Sequence, residues 1–109
     1  MIDDVYKSMA LTERLAAALP LRAIATTDVI RTLKQEGNGD FPHECNVTEV
    51  RYMGDEGGIC CHLDFGSGVT ENVIVVSITH LKFYRKDPLT REIEAYCKHR
   101  IKWLKKLNR

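Results

Sequence analysis

The sequence contains no run of 18 or more consecutive apolar residues, so it predicts no membrane-spanning helix. Prolines number only three and aromatic residues make up 7% of the chain, whereas 44% of the residues are hydrophobic and 28% are charged. This composition excludes disordered, collagen-like and disulfide-dense proteins. The 109 residues and 12.4 kDa predict a single globular domain over residues 1–109.

The first residues lack the features of a secretory signal. Asp3 and Asp4 stand where such a signal carries lysines, and no continuous apolar segment follows them. We therefore expect a cytoplasmic protein that does not associate with membranes.

Few spacings in the sequence are typical of a metal centre. The chain has no Cys-x-x-Cys pair and no two histidines four residues apart. On a strand, Cys60 and His62 would share a face and could ligate zinc together with His43 and Cys45. The weak spacing favours free thiols and unliganded imidazoles, so we expect neither a metal nor a cofactor.

One set of residues would suit nucleophilic catalysis. Cys60 or Cys61 would be the nucleophile, with His62 or His80 as the base and an acid such as Asp64. No turn of the kind that forms an oxyanion hole is evident. We assign no catalytic residue, and a small enzyme with a Cys/His or carboxylate site is the third of our functional hypotheses.

Two segments in the first third of the chain have the apolar spacing of amphipathic helices. This spacing predicts a helix over residues 3–19, with Asp3 or Asp4 as its N-cap and Pro20 at its end. After a short connector, it predicts a second helix near residues 28–36.

The strongest helical pattern extends from Pro88 to about Leu107, with Asp87 as N-cap and proline at the first helical position. At 100° per residue, one arc is apolar and is predicted to face the core. It contains Leu89, Ile93, Tyr96, Cys97, Trp103, Leu104 and Leu107.

Three apolar runs, at residues 46–53, 58–65 and 72–84, predict strands. Glycine-containing turns separate them, which favours an antiparallel meander. The third run is apolar at both odd and even positions, so both faces of its first half require cover from a second helix layer or a second subunit. The residues concerned are Val73, Ile74, Val75, Val76 and Ile78.

Together these elements predict an α+β fold of order α-α-β-β-β-α. We expect a three-stranded antiparallel meander with the first and last helices packed on one face. Without the second helix, this order is similar to that of double-stranded-RNA-binding domains. The lysine-rich motif of that family is absent, and we assign the chain to no family.

The net charge of +1 conceals a division along the chain. Residues 82–109 hold ten basic residues against three acidic ones, which leaves residues 1–81 with a net charge of −6. On the last helix, the arc opposite the core carries Arg91, Lys98, Lys102, Lys105, Lys106 and Arg109. This arc is either a solvated helix face, a site for nucleic acid, or a partner for the acidic part of the same or another copy.

Arg100 is placed by its helical angle inside the apolar arc. A buried guanidinium is costly unless it is paired, so we expect an ion pair with Glu49 or Asp64, or else a bound anion.

Our leading hypothesis is a small non-catalytic interaction module that forms a homodimer through the third apolar run. The second is a nucleic-acid-binding domain that uses the basic arc, with Arg100 as an additional anion-binding residue.

Overall fold

The structure is a computed structural model, and it describes residues 3–35, 43–66 and 74–107. It confirms the α+β class. The helices are α1 (Val5–Ala17), α2 (Thr27–Gln35) and α3 (Thr90–Leu107). The strands are β1 (Leu21–Ala25), β2 (Glu44–Tyr52), β3 (Ile59–Asp64), β4 (Ile74–Ser77) and β5 (Leu81–Phe83). Short 3-10 turns lie at Gly54–Glu56 and Ile78–His80.

The five strands form one antiparallel sheet in the order β4-β3-β2-β1-β5. The register shifts between Val47 and Glu49, where a bulge inserts Thr48 into β2. Because one extra residue reverses the alternation of side chains, Val47 and Val50 both point to the buried face.

The sheet has two more strands than the expected three-stranded meander, and β1 is the first. Residues 21–25, which we expected to be a connector, form a strand between β2 and β5. Leu21, Ala23 and Ala25 are buried and alternate with Arg22 and Ile24. Five residues with two alanines give a weak strand signal, so pairing on both sides stabilises this strand more than its own propensity does.

The second difference is that the run 72–84 is not one strand. It divides into β4 and β5, which lie at opposite edges of the sheet. The Ser77 hydroxyl accepts a hydrogen bond from the Thr79 amide at 3.4 Å and caps the turn at Ile78–His80. This turn redirects the chain, so that β5 pairs with β1 and not with the strands of the meander.

The short link between β4 and β5 requires a strongly curved sheet. From Ser77 to Leu81 there are four residue steps, which span about 14 Å when fully extended. Five flat strands would separate the two edges by about 19 Å. The sheet must therefore curve enough to bring the end of β4 and the start of β5 within about 14 Å of each other.

The hydrophobic core lies on one face of this curved sheet. Leu11 and Leu15 of α1 and Ile93 of α3 belong to the same buried cluster as Val47 and Ile59. The two helices also contact each other, so the first and last helices pack together over the sheet. Within the described ranges, the helices are too short or too polar for any of them to cross a membrane.

Candidate functional site

The start of α3 is fixed by local hydrogen bonds. The Asp87 side chain accepts from the Leu89 amide at 2.9 Å, and the Thr90 hydroxyl donates to the Tyr84 carbonyl at 2.6 Å. The helix itself begins at Thr90, two residues after the predicted start at Pro88, so Asp87 holds the turn that precedes the helix.

The basic residues predicted on α3 are exposed along its outer side. We call five of them the basic face: Arg91, Lys98, Lys102, Lys105 and Lys106. Arg109 lies outside the described residues. Residues 95–107 contain no acidic side chain. This half of α3 is therefore a cationic surface with no negative charge of its own.

The apolar arc of α3 is less covered than expected. Ile93 is buried, but Trp103 is 40% exposed and Leu107 is 64% exposed. These two residues belong to the last two turns of the helix, after the buried Arg100. The expectation that both face the core is wrong, because apolar spacing does not show where the packing surface under a helix ends.

Arg100 is buried as expected, with 3% of its side chain exposed, and it forms an ion pair. Its partner is Asp3, 3.0 Å from Nη1, and not Glu49 or Asp64. The Asp3 side chain is 1% exposed. Because this carboxylate compensates the guanidinium within the protein, Arg100 is not part of the exposed basic face.

Two tyrosines complete what we call the Asp3 cluster, made of Asp3, Tyr52, Tyr96 and Arg100. Tyr52 and Tyr96 donate their hydroxyl hydrogens to Asp3 Oδ2 at 3.2 and 3.0 Å. The Tyr96 oxygen also accepts from the Ile59 amide at 3.0 Å, and burial raises the pKa of its hydroxyl. The cluster thereby ties the first described residue to β2, β3 and α3.

The Asp3 cluster also holds the turn between β2 and β3. Arg100 Nη2 donates to the Asp55 carbonyl at 2.7 Å. Gly58, with φ +65°, passes so close to α3 that a Cβ atom there would lie 2.8 Å from Arg100 Nε and would also strike the Tyr96 hydroxyl. Glycine is required at this position for both its conformation and its small size.

Sequence reasoning left Asp3 and Asp4 as equal candidates for the N-cap of α1. In the structure Asp4 is the cap and accepts from the Lys7 amide at 3.1 Å. Asp3 is thus free to pair with Arg100. The only signal for this pairing was the isolated charge of Arg100 in an apolar arc, and such a charge does not identify its partner.

The structure separates the residues proposed for self-association. Ile74 and Ile78 are buried in the core, and Val76 packs partly against it. Val75 points to the opposite face and is 50% exposed. Val73 lies outside the described residues.

The face of the sheet that carries Val75 is mostly polar and largely paired, although Ile24 of β1 also lies on it. Tyr84 and Arg22 donate to Glu44 at 2.6 and 2.9 Å, and the Tyr84 hydrogen bond is the main cause of the lowered pKa of Glu44. On β2 and β3, Glu49 lies 3.6 Å from His62 Nδ1. Val75 is therefore an apolar side chain without cover at the edge of a polar surface.

The environment of the cysteine thiols is that of packed core side chains, and it differs from that of a nucleophilic cysteine. Burial raises the pKa of Cys61 to about 12 and those of Cys45 and Cys97 to about 11. Cys60 is partly exposed, and burial raises its pKa too. A catalytic cysteine requires the opposite shift.

The residues considered for zinc or acid–base chemistry are not gathered into a centre. Cys60 and His62 share one face of β3 as expected, but Cys45 and Cys61 point to the buried face of the sheet. His80 is exposed on the turn after β4. No group of three or more potential metal ligands occurs among residues 3–35, 43–66 and 74–107.

A groove of about 580 Å³ lies between α1 and α3. Arg14 and Glu92 line it and form an ion pair across the two helices at 2.6 Å. Neither the cysteines of β3 nor His80 contribute to its walls. The groove therefore does not contain the Cys/His set that the sequence offered for catalysis.

Comparison of the chain with known protein families, with curated proteins and with solved structures finds no match.

Proposed function

We propose that this chain is a non-catalytic interaction module that forms a homodimer through β4. The observation that carries this proposal is the open edge of that strand. In the described part of the sheet, β4 pairs only with β3. Its second edge therefore offers backbone donors and acceptors to another strand.

The composition of β4 favours such pairing. Its sequence, Ile-Val-Val-Ser, contains no charge and no proline, which are the usual devices that prevent edge strands from pairing. The other edge strand, β5, has only three residues and carries Lys82. Both edge strands are short, and the two edges differ in that β4 carries no charged residue.

A second copy of β4 is the natural occupant of this edge. Two antiparallel copies related by a two-fold axis supply identical edges to each other, which closes the assembly at two subunits. The pairing would extend the sheet from five strands to ten, and it would bring the exposed Val75 side chains of both copies near each other.

Light scattering on a sizing column tests this proposal. We expect a mass near twice 12.4 kDa. On dilution, the mass should decrease toward that of the monomer. Val75→Lys places like charges across the two-fold axis and should give a monomer of unchanged fold. Thr48→Lys, an exposed position on the interior strand β2, is the matched control and should remain a dimer. A monomer at every concentration would contradict the proposal.

For its location we propose the cytoplasm. The four cysteines are free thiols, and a reducing compartment keeps such thiols unpaired. Fractionation of cells that express the chain tests this location, and recovery in an oxidising compartment would contradict it.

We infer a second function, the binding of nucleic acid by the basic face of α3. The supporting observation is that its five side chains are all exposed, and that four of them lie between positions 95 and 107, where α3 carries no acidic residue. Each lysine that contacts a phosphate releases counterions, so the affinity should fall steeply with salt.

Binding to labelled DNA and RNA, followed by fluorescence anisotropy at several salt concentrations, tests this function. Replacing Lys98, Lys102 and Lys105 with glutamine should reduce the slope of log K against log salt by about 2 to 3. The control variant removes three exposed basic residues elsewhere in the chain, Lys7, Arg31 and Lys82. Equal loss of affinity in the two variants would show nonspecific attraction and not a site.

A further inference from the structure

Trp103 is the only tryptophan of the chain, and it lies at the border of the basic face. At 100° per residue, its direction on α3 is 40° from that of His99 and 60° from that of Lys106. The residue is 40% exposed. A large aromatic surface thus stands in solvent directly beside lysine side chains.

The neighbours of Trp103 surround the ring with cationic and aromatic groups. The Lys106 ammonium lies over the ring, 4.9 Å from its centroid, and the His99 ring lies 6.1 Å away at 55°. Lys106 therefore holds a positive charge within reach of a phosphate whose base contacts the tryptophan.

We propose that Trp103 is a stacking platform for an unpaired base, and that the nucleic acid bound by the basic face is single-stranded. This inference rests on the nucleic-acid function proposed above and adds the form of the ligand. Unpaired bases stack on exposed aromatic rings regardless of sequence, while lysines along the same helix hold the backbone. Lys98, Lys102 and Lys106 follow one another at steps of about 6 Å along α3.

Duplex nucleic acid does not use this arrangement. Its bases are already stacked on each other inside the helix, and only its phosphates would meet α3. A duplex would therefore bind through the lysines alone, and the tryptophan would add nothing.

A bilayer surface fits α3 less well than a single strand does. An interfacial helix needs one continuous exposed apolar face. Here Ile101 and Trp103 point 160° apart. In the last two turns, the side between them carries the buried Arg100, the half-buried Leu104 and the exposed Leu107. Trp103 and Leu107 alone make a short apolar strip and not a continuous face that lies flat on lipid.

Trp103 fluorescence gives a direct test with the whole chain. We would titrate the protein with a 12-residue oligodeoxythymidine, and in parallel with a 12-base-pair duplex, while following both the tryptophan emission and the anisotropy of the labelled nucleic acid. We expect the single strand to quench the emission. The duplex should bind, if at all, without quenching.

Trp103→Ala should weaken single-strand binding by about 5- to 100-fold, and Trp103→Phe should restore most of it. Duplex binding should change by less than twofold in both variants. Ile101→Ala, an exposed apolar position on the other side of α3, is the matched control and should leave both affinities unchanged. Circular dichroism checks that each variant keeps its helices.

The outcomes separate the two claims. If neither nucleic acid binds, the nucleic-acid function fails and the stacking role fails with it. If both bind equally, without quenching and without an effect of Trp103→Ala, only the stacking inference is overturned. A blue shift of the emission with vesicles rich in phosphatidylserine, together with no response to the oligonucleotide, would overturn both claims in favour of a lipid surface.

Discussion

The ion pair between Asp3 and Arg100 allows a sharp prediction about stability. Asp3→Ala leaves a guanidinium that is 3% exposed without its carboxylate, and it removes the acceptor of two tyrosine hydroxyls. Breaking a buried pair by removing one partner costs about 3 to 5 kcal/mol, because the remaining charge is neither solvated nor compensated. Since a small domain has about 5 to 15 kcal/mol of stability in total, the variant should be close to unfolding.

The ion pair between Arg14 and Glu92 is the matched control. Its N–O distance of 2.6 Å is shorter than the 3.0 Å of the Asp3–Arg100 pair, but about half of each side chain is exposed. Solvent screening limits such pairs to about 0 to 1 kcal/mol. We therefore expect Arg14→Ala to cost far less than Asp3→Ala, although it breaks the shorter contact.

Urea unfolding followed by circular dichroism measures both free energies of unfolding. The variants should share the urea dependence of the wild type, so that a change in midpoint reports stability alone. A loss below about 1 kcal/mol in Asp3→Ala would refute the reasoning, since it would mean that water reaches Arg100. The double variant Asp3→Leu with Arg100→Met should recover most of the loss, because it leaves no charge unpaired.

Three further outcomes follow from the geometry. Gly58→Ala should cost about 2 kcal/mol or more in urea unfolding, since it combines a positive φ with collisions against Tyr96 and Arg100; a neutral effect would mean that the turn has moved. Cys61 is protonated in the fold up to a pKa of about 12, against 9.0 ordinarily. Its contribution is complete well below pH 9 and decreases above it, so the stability difference between wild type and Cys61→Ala should shrink by about 1 kcal/mol between pH 7.5 and 10; a constant difference would contradict this. Under native conditions at pH 8, a thiol reagent should modify Cys60 before the other cysteines, and mass spectrometry of the peptides measures the order of labelling. If a buried cysteine is labelled as fast as Cys60, the core opens under these conditions.

The helices were predictable because their signals are local. Apolar spacing and capping residues located α1, α2 and α3 to within a few residues. The same reasoning missed β1, whose five residues are stabilised by β2 and β5 and not by their own propensity. It also joined β4 and β5, because the Ser77 cap that separates them lies inside an otherwise continuous apolar run.

The candidate site was predictable in part. The basic residues of α3 were identified by their angular positions, and their exposure followed from them. The exposure of Trp103 was not predictable, because it depends on how far the packing surface extends along the helix. The pairing of Arg100 with Asp3 could not be predicted either, since 97 positions separate the two residues in the chain.

The Asp3 cluster also divides α3 into two parts with different local stability. Up to Arg100, the helix is fastened to the sheet and to the turn at Asp55, so we expect its hydrogen-bonded amides to exchange only when the whole domain opens. Beyond that residue, Ile101–Leu107 are stabilised mainly by hydrogen bonds within the helix, because Leu104 is half-buried and the other six residues are exposed. Trp103 and three lysines of the basic face thus belong to a segment that opens locally, and a ligand bound there would be recorded as slower amide exchange in these seven residues alone.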